Sequence, residues 1–253
     1  MVTHKSERAQ YIAYRPIRPS DLEALQEIHA SLFPIRYESQ FFLNVVNSRD
    51  IISWAAVDSS RPYEKADELI AFVTARVVIP SQAEVDDILQ CDTSDKNRRL
   101  VYILTLGVAQ QYRNLGIASS LVREVINYAS SIPACRAVYL HVIAYNRPAI
   151  LFYRRMAFRC LRRLPYFYYI NDQHFDAYLY AYHVNGGRSP CSALDLIVAV
   201  ATYLRSFFMS LTTRLWKHGD VVPAWPKCKE ANSLLPNSNR IIQGADSSGL
   251  QCV

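Results

Sequence analysis

The chain has 253 residues, 28 Lys and Arg against 22 Asp and Glu, and 51% hydrophobic residues, enough for one sizeable core plus an appendage. Up to residue 187 the basic residues outnumber the acidic ones by only 21 to 18 with no dense basic stripe, which excludes a nucleic-acid partner; the remaining seven to four lie beyond it. The six cysteines, Cys91, Cys135, Cys160, Cys191, Cys228 and Cys252, form no C-x-x-C pair and have no histidine at metal spacing, which excludes a metal module and suits reduced thiols in the cytosol.

Residues 1–10 read as a polar arm without the apolar segment of a secretory signal, so the domain that follows is expected on the cytosolic side. Tyr11 to Ile17 predicts a first strand. Ser20 and Asp21 then cap a helix with Leu22, Leu25, Ile28 and His29 on one face. The proline-broken loop Phe33-Pro34-Ile35-Arg36-Tyr37 leads into a second helix over about Ser39 to Asn47. Ile52–Val57 and Leu69–Val78 predict a hairpin with a long charged connection, and Pro80–Asn97, with its four aspartates, predicts a polar surface loop. Strands over 99–109 and 136–143 bracket a helix over 116–131, Asn146 to Arg155 makes another helix, and two last strands run over 157–170 and 174–184. The domain is therefore placed at 11–187.

Between Ser192 and Lys217, Leu194, Ile197, Val198, Ala201, Leu204, Phe208, Leu211 and Leu215 recur at helical spacing, with Asp195, Thr202, Ser206, Thr213 and Lys217 opposite. Arg205 and Arg214 on the flanks and Trp216 near the end suit a helix lying in the headgroup region of an anionic membrane, so 188–220 is expected to be a membrane-binding segment. A transmembrane span, interrupted at Arg205, and a helix docking back on the catalytic domain are the two alternatives. Residues 221–253 are Asn- and Ser-rich and predict a disordered tail.

The chemistry concentrates where the apolar run Leu100–Val108 meets Tyr112-Arg113-Asn114-Leu115-Gly116-Ile117-Ala118-Ser119. An Arg-x-x-Gly-x-Ala turn between a strand and a helix is a pyrophosphate cradle. Gly116 and Ala118 let a phosphate approach the backbone N–H groups at a helix N-terminus, and Arg113 adds positive charge. Strand alternation places Tyr102, Leu104 and Leu106 on one face, and Tyr139, His141 and Ile143 on one face of the strand beside it. A phenol and an imidazole can thus flank one cleft.

Downstream lie Ala137-Val138-Tyr139-Leu140-His141-Val142, Asn146-x-x-Ala149-x-x-Phe152-Tyr153 and Met156-Ala157-Phe158. Over roughly 14–187 this order resembles the GNAT superfamily of N-acetyltransferases. The resemblance implies an α/β GNAT fold, a mixed sheet of about seven strands flanked by helices, that binds acetyl-CoA through the 113–119 turn without a metal. Transfer to an amine needs a proton acceptor, an oxyanion donor and an acid for the thiolate. A neutral His with a pKa of about 6.5 and a Tyr near about 10 suit proton removal, roles assigned to His141 and Tyr102. Backbone N–H groups of Leu106, Gly107 and Val108 can polarise the acetyl carbonyl if the strand is splayed or bulged there. Tyr153 is expected to protonate the thiolate and Asn146 to bind the cofactor. Attack is then direct.

Phe33-Pro34-Ile35-Arg36-Tyr37, Tyr102-Ile103-Leu104-x-Leu106-Gly107-Val108 and Leu164-Pro165-Tyr166-Phe167-Tyr168 narrow the resemblance to the NatF type of N-alpha-acetyltransferase. That type implies acetylation of Met-Lys, Met-Ala, Met-Val and Met-Leu N-termini on membrane proteins, at the cytosolic face of the Golgi or plasma membrane. It also implies that Phe33 and Ile35 line a methionine pocket, and that Pro34, Tyr37, Leu104, Tyr166, Phe167 and Tyr168 bind the peptide. Aromatic walls suit an unbranched, polarizable Met side chain. Arg36 stands where animal members carry an acid, and Ala157 and Ala118 stand where glycine is usual. Acetylation of lysine side chains, histones included, is an alternative, as is a membrane-tethered acyl-CoA-binding module without catalysis. Homodimerisation stays open.

Overall fold

The computed structural model describes residues 11–60, 67–89 and 97–189. The expected arm over 1–10, the amphipathic helix over 192–217 and the tail over 221–253 lie outside them. Seven strands form one sheet in the spatial order β1 (Ile12–Pro16), β2 (Ile52–Asp58), β3 (Glu68–Val78), β4 (Arg99–Val108), β5 (Cys135–Ile143), β7 (Gln173–His183) and β6 (Arg159–Ile170). Every neighbouring pair is antiparallel except β4 and β5. A parallel pair needs a crossover, which helix α4 (Ile117–Ser131) supplies.

Helices cover both faces, so the central strands are apolar on both sides. On one face, Tyr139 and Ile143 of β5 and Leu100, Tyr102 and Leu104 of β4 pack with α1 (Leu22–Leu32), α2 (Ser39–Val46) and α3 (Gln82–Ile88). On the other, Val138, Leu140 and Val142 pack with α4 and α5 (Arg147–Arg155).

Helix α3 corrects the expectation of a surface loop over 80–97. Ser81 caps it, accepting from the Glu84 backbone N–H while the Glu84 carboxylate accepts from the Ser81 N–H at 2.8 Å. Val85, Ile88 and Leu89 are buried against the sheet, and Arg162 of β6 pairs with Asp87. The Ser-x-x-Glu signature was present in the sequence, masked by the surrounding aspartates. Asp21 is a second correction. It makes no side-chain cap for α1; its carboxylate takes Arg15 at 2.7 and 2.9 Å and the Arg18 N–H at 2.7 Å.

Two features of β4 position the site. Its ladder with β5 runs only from Arg99↔Cys135 to Tyr102↔Tyr139, so beyond Tyr102 the two strands part. Its ladder with β3 skips a residue, Thr74 facing Thr105 and Ala75 facing Ile103, so Leu104 is the extra residue of a bulge. The hydroxyls of Thr74 and Thr105 bond at 2.6 Å beside it and hold the register. After the bulge the alternation changes sides: Leu106 and Val108 join the α4 face, not the face of Tyr102 and Leu104. The expectation that Tyr102, Leu104 and Leu106 share a face is corrected by that one inserted residue.

Candidate active site

Beyond the point where β4 and β5 part, the first side chain of β5 on the α1 face is His141. The Tyr102 hydroxyl lies 3.1 Å from His141 Nδ1. Phe167 stacks on the imidazole at 4.3 Å, and the Tyr168 hydroxyl donates to the His141 carbonyl at 3.1 Å. The sequence pairing of Tyr102 with His141 is therefore seen as a contact. Burial pushes the imidazole down to about 3, so it is neutral at physiological pH, well below the ordinary value expected of it. A neutral imidazole does not repel an incoming ammonium.

Tyr139 stacks on Tyr102 with centroids 4.8 Å apart and donates its hydroxyl to Glu84 at 3.1 Å. Burial, reinforced by the Glu84 carboxylate, pushes this phenol far up, so it remains protonated. Glu84 lies in α3, the helix that replaces the expected surface loop, so no sequence signal joins it to the site.

The loop after α1 arranges itself around His29, which is 2% exposed and whose Nε2 has no hydrogen-bond partner. Phe33 stacks on this ring at 4.5 Å, Tyr37 meets it edge-on at 4.7 Å and Phe42 at 5.2 Å. Burial lowers His29 to about 4, so it too is a neutral imidazole. Gly107 makes this packing fit: a Cβ there would come within 2.8 Å of Leu32, 3.1 Å of Phe72 and 3.3 Å of Phe33. Its missing side chain thus seats the Phe33 loop against β4.

The Tyr-rich segment of β6 carries a second irregularity, the ladder with β7 jumping from Leu164↔Ala177 to Tyr168↔Phe175. Tyr166 has a φ of 54° and is 74% exposed. Asp176 pins this bulge, accepting from the Tyr166 N–H at 2.9 Å and from Arg163 at 2.8 Å. Tyr168 instead is fully buried; burial first, and then the nearby Tyr102 and Tyr37 phenols, push it well up. Leu104, 1% exposed, lies beneath the same surface. Of the residues expected to line a peptide, Tyr166 and Pro34 are exposed, Ile35, Tyr37 and Phe167 are half-buried, and Phe33, Leu104 and Tyr168 form the packed floor.

On the α4 side of the sheet a cavity of about 530 Å³ is lined by Val108, Arg113, Asn114, Gly116, Ile117, Ala118 and Ser119, as expected. Gly116 sits at φ 81° as the N-cap of α4, and Asn114 has a φ of 64°, which turns the chain sharply into the helix. The first N–H groups of α4 have no intrahelical acceptor, and the dipole adds positive potential there. Arg113 donates through Nε to the Val108 carbonyl at 3.2 Å, which anchors it at the end of β4. Tyr112, Pro148, Leu151, Phe152 and Arg155 also line the cavity. The last four recur at helical spacing on α5, a signal legible in the sequence.

Leu106, Gly107, Leu115, Asn146 and Tyr153 do not line it. Leu106 and Gly107 stand on the unpaired edge of β4 toward β5. Asn146 caps α5, accepting from the Ala149 N–H at 3.2 Å. Tyr153 is wholly buried between Phe152 and Phe158, edge-on to each.

The chain matches the model of the Acetyltransferase (GNAT) family over residues 22–158. It is 52% identical over 221 residues to the histone acetyltransferase MCC1 of Arabidopsis thaliana, covering 87% of this chain and 90% of that one. It is 31% identical over 189 residues to N-alpha-acetyltransferase 60 of Xenopus tropicalis, covering 74% and 76%. Crystal structures of Arabidopsis thaliana NAA60 with acetyl-CoA and with a bisubstrate analogue share 59% identity, with TM-scores of 0.65 and 0.64, over 69% of this chain and 99% of theirs.

Proposed function

We propose, from the premise that the chain belongs to the Acetyltransferase (GNAT) family, that it transfers acetyl from acetyl-CoA to the α-amine of protein N-termini beginning with methionine. The observation that carries this is the Tyr102–His141 contact at the point where β4 and β5 separate, with the α4 cavity opening on the opposite face. The separation leaves β4 backbone groups over Leu106–Val108 facing a gap through which a thioester and an amine can meet. The cavity, with Arg113, Arg155 and the α4 N–H groups, suits the phosphates of the CoA moiety.

In this mechanism the substrate ammonium loses a proton to the Tyr102–His141 pair through water, and the free amine attacks the acetyl carbonyl. Backbone N–H groups on the open edge of β4 stabilise the oxyanion. The thiolate leaves and recovers a proton, for which Tyr153 requires a modest opening of its packing. Phe33, Ile35, Tyr37, Tyr166 and Phe167 clasp the first two residues of the peptide. The substrates we have in mind are membrane proteins with cytosolic N-termini, met at the Golgi or plasma membrane by the amphipathic segment at 188–220.

Acetylation of lysine side chains is the second reading, favoured by the 52% identity to a histone acetyltransferase. Labelled acetyl transfer by the full chain to Met-Lys and Met-Val peptides, against N-terminally blocked lysine peptides, separates the two. Labelling of free N-termini supports the first; labelling of blocked peptides alone overturns it. Removing residues 188–253 should release the tagged protein from membranes, and unchanged membrane association would sink the anchor.

A further inference from the structure

Two phenols, Tyr102 and Tyr139, stand side by side on the face that carries the site, one in contact with His141 and the other with Glu84. Arg76 of β3, Tyr102 of β4 and Tyr139 of β5 form one row across three strands, Arg76 directly opposite Tyr102 and Tyr102 directly opposite Tyr139. The Arg76 guanidinium carbon lies 6.0 Å from the Tyr102 ring centroid. Its Nε is buried without a hydrogen-bond partner, and among the described residues no carboxylate forms an ion pair with it. An uncompensated, partly desolvated cation therefore acts on whatever charge appears nearby. Arg76 also reaches Tyr139 at the other end of the row, but burial and Glu84 outweigh it there, and Glu84 holds the Tyr139 proton.

We propose that Arg76 is a positioning residue that, with Glu84 at the far end of the row, makes Tyr102 rather than Tyr139 the phenol that carries negative charge. Environments that push two like groups apart assign their roles. The groups that face Tyr102 include Arg76 from β3, Tyr139 and His141 from β5 and Tyr168 from β6, with Tyr37 acting on Tyr168 and Glu84 on Tyr139. A neutral His141 supports the same outcome by donating from Nδ1 to the Tyr102 oxygen, a tautomer the 3.1 Å contact permits. The Tyr102 phenolate then takes one proton from the substrate ammonium, giving phenol and free amine, and releases that proton to solvent afterwards. No bond to carbon forms at Tyr102.

The inference rests on the N-terminal acetyltransferase reading, and the test separates the two. In the full chain, Arg76→Met is compared with Arg76→Lys by the pH profile of kcat/KM and by phenolate difference absorbance, using Tyr102→Phe to isolate one tyrosine among 17. Arg76→Met should move the rising limb and the Tyr102 titration to higher pH. Activity on that limb should fall about tenfold, while acetyl-CoA affinity stays unchanged and Arg76→Lys recovers most of the loss. A uniform loss with the limb and the titration in place would overturn the proposal. A titration shift in a protein that fails to acetylate N-terminal peptides would keep the inference and sink the functional reading.

Discussion

Tyr102 and His141 touch at 3.1 Å although their strands stop pairing at Tyr102 and Tyr139, two residues before His141 on β5. The contact spans a gap in the sheet: the same divergence that leaves backbone groups of β4 unpaired brings a phenol and an imidazole together across its base. The gap is held open from both sides. The bulge at Leu104 swings the end of β4, and Tyr168 bonds the His141 carbonyl from β6.

Tyr102→Phe and His141→Ala should each lower kcat about 10²-fold, with acetyl-CoA affinity unchanged. Because the two act as one unit, the double variant should lose little more than either single one. Steady-state kinetics on Met-Val peptides with calorimetric cofactor titration checks this, and fully multiplicative losses would argue for independent roles.

The fold should weaken in mild acid. His29 is lowered to about 4 and His141 to about 3, so below the ordinary histidine value of 6.5 the unfolded chain binds protons that the folded one refuses. Stability therefore rises with pH across that window and is lost on acidification, by up to about 1.4 kcal/mol per pH unit for each histidine. Asp21 and Asp176 are held below their ordinary 3.8, so their contribution is lost only in stronger acid. His183 is lowered by burial too and adds to the slope; urea unfolding between pH 7 and 4.5 should show it and His29→Phe should flatten it, an unaltered slope in that variant removing His29 as a cause.

Gly107→Ala should disturb the peptide side before the cofactor side. Its new methyl meets Leu32 at 2.8 Å and Phe33 at 3.3 Å, so the Phe33 loop must shift. We expect a destabilisation of about 1–3 kcal/mol and a raised KM for peptide. A raised KM for acetyl-CoA alone would mean that the loop is not what Gly107 seats.

Ala157→Gly should stabilise the protein. Ala157 has a φ of 64°, left-handed backbone at the end of α5 that favours glycine. The gain should be about 0.5–1 kcal/mol, reduced by the greater freedom of glycine in the unfolded chain. Thermal melting decides, and a lowered Tm would show that the methyl group contributes more through packing than the backbone costs.

Much of the site was legible because its signals are local. Gly116 and Ala118 before an amphipathic run announce a helix N-terminus open to phosphate, and seven residues expected there do line the cavity. The α5 positions Pro148, Leu151, Phe152 and Arg155 carry an equally local signal, a helical stripe rather than a short motif. The capping box at Ser81 and Glu84 was just as local, outweighed by the acidic residues around it.

By itself, the sequence determined the order of the seven strands and of every helix but α3, the turn that cradles a phosphate, and the candidacy of Tyr102 and His141, since periodicity and turn chemistry act over a few residues. Only the tertiary structure decided which side chains meet. One unpaired residue at Leu104 turned Leu106 to the opposite face, and strand order set Arg76, Tyr102 and Tyr139 in a row that no spacing reveals. Burial depends on the whole assembly, and burial made His29 and His141 neutral and placed Tyr153 and Tyr168 in the core. Register, face and desolvation are properties of strands brought together from distant parts of the chain, so a pattern read along one strand cannot contain them.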